Sequence, residues 1–244
     1  MKKIVSGLLL LVSCALPTVA PATSMDSLSK GAVLGPQALQ AVLLDVALVG
    51  SRLVAVGERG VVLLSDDSGL SWRQVPSPVS STLTSVQFVD PLNGWAVGHS
   101  GVVLHSGDAG ASWQVQLDGM QAAAIELRAA ERSEDARRLA SAQRFSADGA
   151  DKPLLAVNFS DANNGMVVGA YGLALTTRDG GKTWQSRMGE LPNPRGLHYY
   201  AMARHRDEIL IAGEQGLLLR STDGGASFQA LKGSYDGSYF AAGI

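Results

Sequence analysis

The sequence predicts an all-β protein, a β-propeller of four-stranded blades, and three observations predict it. First, one octapeptide occurs four times, as S-D-D-S-G-L-S-W at residues 65–72 and again at 106–113, 177–184 and 221–228. Second, a Gly-x-x-Gly pair precedes every copy by eight residues: Gly57 and Gly60, Gly98 and Gly101, Gly169 and Gly172, Gly213 and Gly216. Third, the octapeptides start 41, 71 and 44 residues apart. That is a period near ~42 with about 30 extra residues in the second interval, and such periods belong to propellers and solenoids.

Short apolar runs lie between these marks and read as buried strands. Each unit opens with a strand a at residues 43–48, 83–89, 154–159 or 199–203. Strand b follows at 53–56, 95–97, 166–168 or 209–212, and strand c at 61–64, 102–104, 173–175 or 217–219. Strand d starts at the aromatic residue of the octapeptide, as in W-Q-V-Q-L from Trp113. Gly-x-x-Gly therefore joins b to c, and the octapeptide joins c to d. In two units a and b are linked through Asn93-Gly94 and Asn164-Gly165, steps that suit hairpin turns with positive φ.

The extra residues, about 119–153, differ in kind. Q-A-A-A-I-E-L-R-A-A and the Ala-, Glu- and Arg-rich stretch after it are strong helix formers. They predict one helix or a short helical hairpin projecting before the third blade as a solvated decoration or a docking element. Glu134 and Arg138 form a favourable i,i+4 pair within it. After Phe228, residues 235–241 look like the opening strand of a fifth unit, so the chain reads as four repeats plus the start of a fifth, truncated from a larger ring.

The octapeptide has a structural explanation. Asp67, Asp108, Asp179 and Asp223 can accept backbone N–H bonds inside the turn, and Ser65, Ser106, Thr177 and Ser221 add local hydroxyl bonds. Gly69, Gly110, Gly181 and Gly225 supply a permissive backbone, and Trp72, Trp113, Trp184 and Phe228 pack on the blade. Four like turns spaced around a ring cannot converge on one substrate. An EF-hand reading fails because the regularly spaced ligands and the distal Glu are missing.

Function is then expected on the opposite face. There the residues inside each Gly-x-x-Gly differ while everything around them repeats: Glu58-Arg59, His99-Ser100, Ala170-Tyr171 and Glu214-Gln215. These eight are the candidate partner-binding residues, against the plainer possibility of solvated turn tips.

The 244 residues are 46% hydrophobic and 17% charged, with a formal net charge of −2, so no broad basic field favours nucleic acid. The four His have no metal-ligand spacing, and no strand-to-helix phosphate loop occurs. No metal, cofactor or catalytic residue is predicted. Residues 1–22 read as a signal peptide: Lys2 and Lys3, the apolar run 4–12, then Ala20-Pro21-Ala22 with cleavage after Ala22. The run is too short to span a bilayer, which takes roughly 17 to 25 residues. Leu11-Val12-Ser13-Cys14 offers a rival cut that would leave a lipoprotein anchored through Cys14. Either predicts an exported, periplasmic protein, and cleavage after Ala22 leaves a chain without cysteine and so without disulfides.

The octapeptide pattern S-x-D-x-G-x-[S/T]-W is the Asp-box, or BNR repeat. G-W-A-V-G-H-S-G-V-V-L-H-S-G-D-A-G-A-S-W and V-V-G-A-Y-G-L-A-L-T-T-R-D-G-G-K-T-W resemble the photosystem II stability/assembly factor family and its non-photosynthetic bacterial relatives. The resemblance covers residue 43 to the C-terminus apart from the insertion. It implies a seven-bladed, non-catalytic propeller outside the cytoplasm that binds a membrane protein or envelope complex and helps it assemble. A full ring at about 42 residues per blade needs roughly 300 residues, which fits truncation. Asp-boxes also decorate sialidases, the alternative class. That family's [F/Y]-R-I-P segment is missing, and Pro194-Arg195-Gly196 reads better as a loop.

Overall fold

The computed structural model describes residues 24–244, so the expected leader, its expected cleavage site and Cys14 lie outside the described residues. Among the described residues sixteen strands form four antiparallel sheets, each ordered as in the sequence. Blade 1 is β1 (Leu43–Val49), β2 (Arg52–Gly57), β3 (Val62–Ser65) and β4 (Arg73–Val75). Blade 2 is β5 (Leu83–Phe88), β6 (Gly94–Gly98), β7 (Val103–Ser106) and β8 (Gln114–Leu117). Blade 3 is β9 (Leu154–Phe159), β10 (Gly165–Gly169), β11 (Ala174–Thr177) and β12 (Gln185–Ser186). Blade 4 is β13 (Tyr199–His205), β14 (Glu208–Gly213), β15 (Leu218–Ser221) and β16 (Gln229–Ala230).

Register explains how the blades stack. Val46, Val86, Val157 and Met202 occupy one position, opposite Ala55, Ala96, Val167 and Ile211. Val86 shares one buried apolar cluster with Val54, Val56 and Leu64 of blade 1, Val157 shares another with Trp95 and Val97 of blade 2, and Met202 packs on the cluster that holds Met166 and Val168 of blade 3. Each interface thus repeats the same apolar contact. Val46 is 56% exposed where Val86 is 6%, because among the described residues no blade lies on that flank of blade 1. A short 3-10 segment, Pro36–Gln40, covers its outer part instead, with Ala38 beside Ala55, Leu63 and Trp72.

Four expectations are corrected. The insertion is a helical hairpin, α2 (Gly119–Glu131) and α3 (Ala136–Asp148), but it does not project as a decoration. Ala122, Ala123 and Phe145 share one cluster with Trp95, Leu154 and Trp184, so the hairpin belongs to the core between blades 2 and 3. Arg138 does not pair with Glu134, which precedes the helix; Asp135 is the N-cap, and Arg138 donates to the buried Glu126 at 2.9 and 3.0 Å.

The Asn-Gly steps do not use positive φ. Asp90 and Asp161 close those turns by accepting from Leu92 and Asn93, and from Asn163 and Asn164. Gly94 and Gly165 are required for another reason: a Cβ there would lie 2.4 Å from the ring of Phe88 or Phe159. Lastly, residues 235–241 form no strand. They run across blade 4, where Gly216 N donates to Gly237 O and Tyr239 N to Gly213 O.

Candidate partner-binding face

The Asp-box turns and the a-to-b turns occupy one face, since Ala109, Gly180 and Gly224 donate their N–H to Leu92 O, Asn163 O and Asp207 O. In the second copy Ser106 Oγ donates to Asp108 Oδ1 at 2.8 Å and accepts from Gly110 N. Ser112 donates its N–H to Oδ1 and its hydroxyl to Oδ2. Ser65 and Asp67, Thr177 and Asp179, and Ser221 and Asp223 repeat the pattern. The sequence did not reveal one bond, from the indole N–H of Trp72, Trp113 and Trp184 to Gly69 O, Gly110 O and Gly181 O. Phe228 has no such donor, and Gly225 O is taken instead by Arg187 of the preceding blade.

These carboxylates are held ionised. Hydrogen bonds from Ser71 and Ser65 bring Asp67 down to about 2, and those from Thr183 and Thr177 do the same for Asp179. Asp223 is lower still, through Ser227 and Ser221. At Asp108 desolvation pushes upward, but the bonds from Ser112 and Ser106 together outweigh it. All four Asp accept donors from their own turn, and among the described residues no group of three or more acidic, His or Cys side chains is placed to hold a metal.

The Gly-x-x-Gly turns lie on the other face against the d-to-a connections. A Cβ on Gly60 would meet Val79 O at 2.0 Å, and one on Gly101 would meet Gly119 Cα at 2.6 Å. Each is closed by a bond such as Val61 N to Glu58 O, with positive φ at both central residues, the type I′ pattern. Arg59 (55°), Ser100 (59°), Tyr171 (57°) and Gln215 (50°) therefore hold left-handed backbone that disfavours residues with a Cβ.

The structure divides the eight candidates. Arg59, His99, Tyr171 and Gln215 are exposed. Glu58 and Glu214 are half-buried and accept from Val42 N and His198 N, so they also secure their own blades. Ser100 and Ala170 are buried at 7% and 4%, which removes them from a solvent-facing surface. Ser100 Oγ contacts Ser81 and Ser27, the latter in α1 (Ser24–Ser29), which lies over that turn. No motif around Ser100 signals this cover, because it depends on a segment distant along the chain.

Sequence reasoning also missed an aromatic line on this face. Tyr171, 57% exposed, packs on His198 with ring centres 4.7 Å apart, His198 reaches Tyr200 at 6.0 Å, and Tyr200 reaches Phe240 at 4.8 Å. The Lys152 ammonium sits 4.8 Å from the Tyr171 ring centre.

Comparison with solved structures returns propellers. The chain matches YCF48 bound to D1 peptide with a TM-score of 0.56 and 16% identity, over 88% of this chain and 60% of that one. YCF48 from Cyanidioschyzon merolae matches with a TM-score of 0.56 and 18% identity, over 83% and 60%. The chain thus spans about 60% of the length of these structures. The GH74 xyloglucanase from Xanthomonas campestris shares the fold at a TM-score of 0.52 and 16% identity, over 86% of this chain and 32% of that enzyme. The comparison with curated proteins returns no match. The family model for photosynthesis system II assembly factor YCF48 matches residues 35–131 and 141–235. With the repeated blades and Asp-box turns, that match places the chain in the YCF48-type assembly factor family.

Proposed function

We propose that the chain is a non-catalytic propeller, exported through its leader, that binds a polypeptide partner in the cell envelope and assists the assembly or stability of a membrane-protein complex. One observation carries the reading. On the Gly-x-x-Gly face a repeated backbone presents dissimilar exposed side chains, Arg59, His99, Tyr171 and Gln215, whereas the Asp-box residues of the other face bond to their own turns. Family membership and the peptide held by one solved YCF48 support a polypeptide as the partner class.

The test is capture from solubilised envelope with a photo-crosslinking residue placed at position 59, 99, 171 or 215. A shared membrane-protein partner is expected, absent when the probe sits at Ser68 on the Asp-box face. Equal labelling from both faces, or hydrolysis of sialosides or xyloglucan by the purified chain, would overturn the reading. Export is tested by fractionation, and retention in the cytoplasm would count against it. Membrane association that Cys14→Ser abolishes would establish the lipid-anchored form.

A further inference from the structure

Resting on the reading of the chain as a polypeptide-binding propeller, we infer that the partner segment lies in a groove across blades 3 and 4, with an apolar side chain seated beneath α3 and an acidic side chain beside Arg144.

The groove is specific to this half of the face. A cavity of about 450 Å³ lies between α3 and the blade 3 turn, with Phe145, Leu173 and Met188 supplying apolar surface and Tyr171 and Arg144 among its lining residues. From Tyr171 the surface continues along His198, Tyr200 and Phe240. Blades 1 and 2 have no counterpart: Arg59 and Ser100 take the place of Tyr171, and Leu44 and Thr84 that of Tyr200. Ser100 is covered, whereas Tyr171 and Phe240 are 57% and 73% exposed. Tyr171 is held at the tip of a turn with φ +57°, so its ring reaches a partner with little further ordering.

Charge selects the occupant. Lys152 is already engaged by Asp148 and Asp151 at 2.9 and 2.7 Å. Arg144 is exposed, its Nε donating only to Ala140 O, and it has no ion pair among the described residues. A carboxylate is the complement that such a guanidinium binds best. The rings favour polypeptide over sugar, because Tyr171, His198 and Tyr200 meet at 69° and 85° and so present notches between edges and faces rather than a flat platform. Tyr in a desolvated pocket is a common anchor of such interfaces.

The experiment is fluorescence anisotropy on the purified chain with three labelled decapeptides: leucine alternating with glutamate, leucine with lysine, and serine with glutamate. Tighter binding of the leucine–glutamate peptide than of either other is expected. Tyr171→Ala should weaken it about tenfold, with Tyr171→Phe restoring most of the loss. Arg144→Ala should narrow the preference for glutamate over lysine, and Arg178→Ala, at an exposed position on the Asp-box face, should change nothing. No binding of the leucine–glutamate peptide, equal binding of the lysine peptide, tighter binding of a xyloglucan oligosaccharide, or indifference to Tyr171→Ala in a chain whose melting point is unchanged would each overturn the inference. If the native partner is still captured by the Tyr171→Ala, Arg144→Ala double variant, the groove is wrong while the broader function stands. If the unaltered chain captures none, the broader function falls first.

Discussion

Asp108 and Ser112 are joined twice: the carboxylate accepts the Ser112 N–H at 2.8 Å and the Ser112 hydroxyl at 2.6 Å. With the bond from Ser106, one side chain closes the turn between β7 and β8, and the indole of Trp113 locks it through Gly110 O. Asp108→Ala leaves those donors without their acceptor and is expected to cost about 1–3 kcal/mol. For a chain of this size that lowers the melting temperature by roughly 2–4 °C per kcal/mol. Trp113→Ala, which also opens a cavity between blades 1 and 2, is expected to cost about 3–5 kcal/mol. Thermal melts followed by circular dichroism check both, and an unchanged melt for Asp108→Ala would remove the structural role.

The same turns set an acid limit on stability. Asp67 and Asp179 have folded values brought down to about 2, below the unfolded Asp value near ~3.9. The unfolded chain therefore binds more protons in this range, and stability rises with pH. The contribution is fully present above about pH 4 and fades as pH falls toward 2. Urea midpoints measured from pH 6 to 2 are expected to fall in that window. Asp179→Asn should flatten part of the slope, and a profile as steep as the parent's would show that this turn is not a source.

Legibility followed the range of the interaction. The Asp-box turn was readable because Ser106, Asp108, Gly110 and Ser112 complete it within seven residues, and its repetition exposed the blade. Gly94 and Gly165 were misread because their requirement comes from Phe88 and Phe159 on the neighbouring strand, which look from the sequence like ordinary strand residues. The aromatic line was invisible for a related reason: Tyr171, His198 and Phe240 belong to a turn, a loop and the C-terminal segment, and only the blade 3–4 packing brings them together.

That misreading gives a prediction of its own. Gly165 has ordinary strand backbone, so propensity alone would let alanine replace it at no cost. The added Cβ would instead fall 2.4 Å from the Phe159 ring, which is wedged between Trp95 and Trp184 and cannot swing away. Gly165→Ala is expected to destabilise by about 1–3 kcal/mol through overpacking. Phe159→Leu in the same chain should recover part of that loss. If Gly165→Ala matches the parent in a melt, the ring is not held as tightly as its neighbours indicate.

The helical hairpin is fixed to blade 3 by a buried polar node, which decides whether it behaves as core or as an appendage. Glu126 is 2% exposed, takes two bonds from Arg138 of α3 and accepts the hydroxyl of Ser186 on β12. Removing one partner of such a pair leaves an uncompensated charge, which typically costs about 3–5 kcal/mol, whereas replacing both with apolar groups can be nearly neutral. Glu126→Leu is therefore expected to loosen the hairpin and raise amide exchange along α2 and α3. The double variant Glu126→Leu, Arg138→Met should regain most of the stability, while Glu131→Ala, at an exposed position, should stay within about 0.5 kcal/mol of the parent. Denaturant titrations of the single and double variants, with hydrogen exchange on each, check this. If Glu126→Leu exchanges at the parent's rate throughout α2 and α3, the pair does not anchor the hairpin, and its apolar contacts with Trp95 and Trp184 suffice.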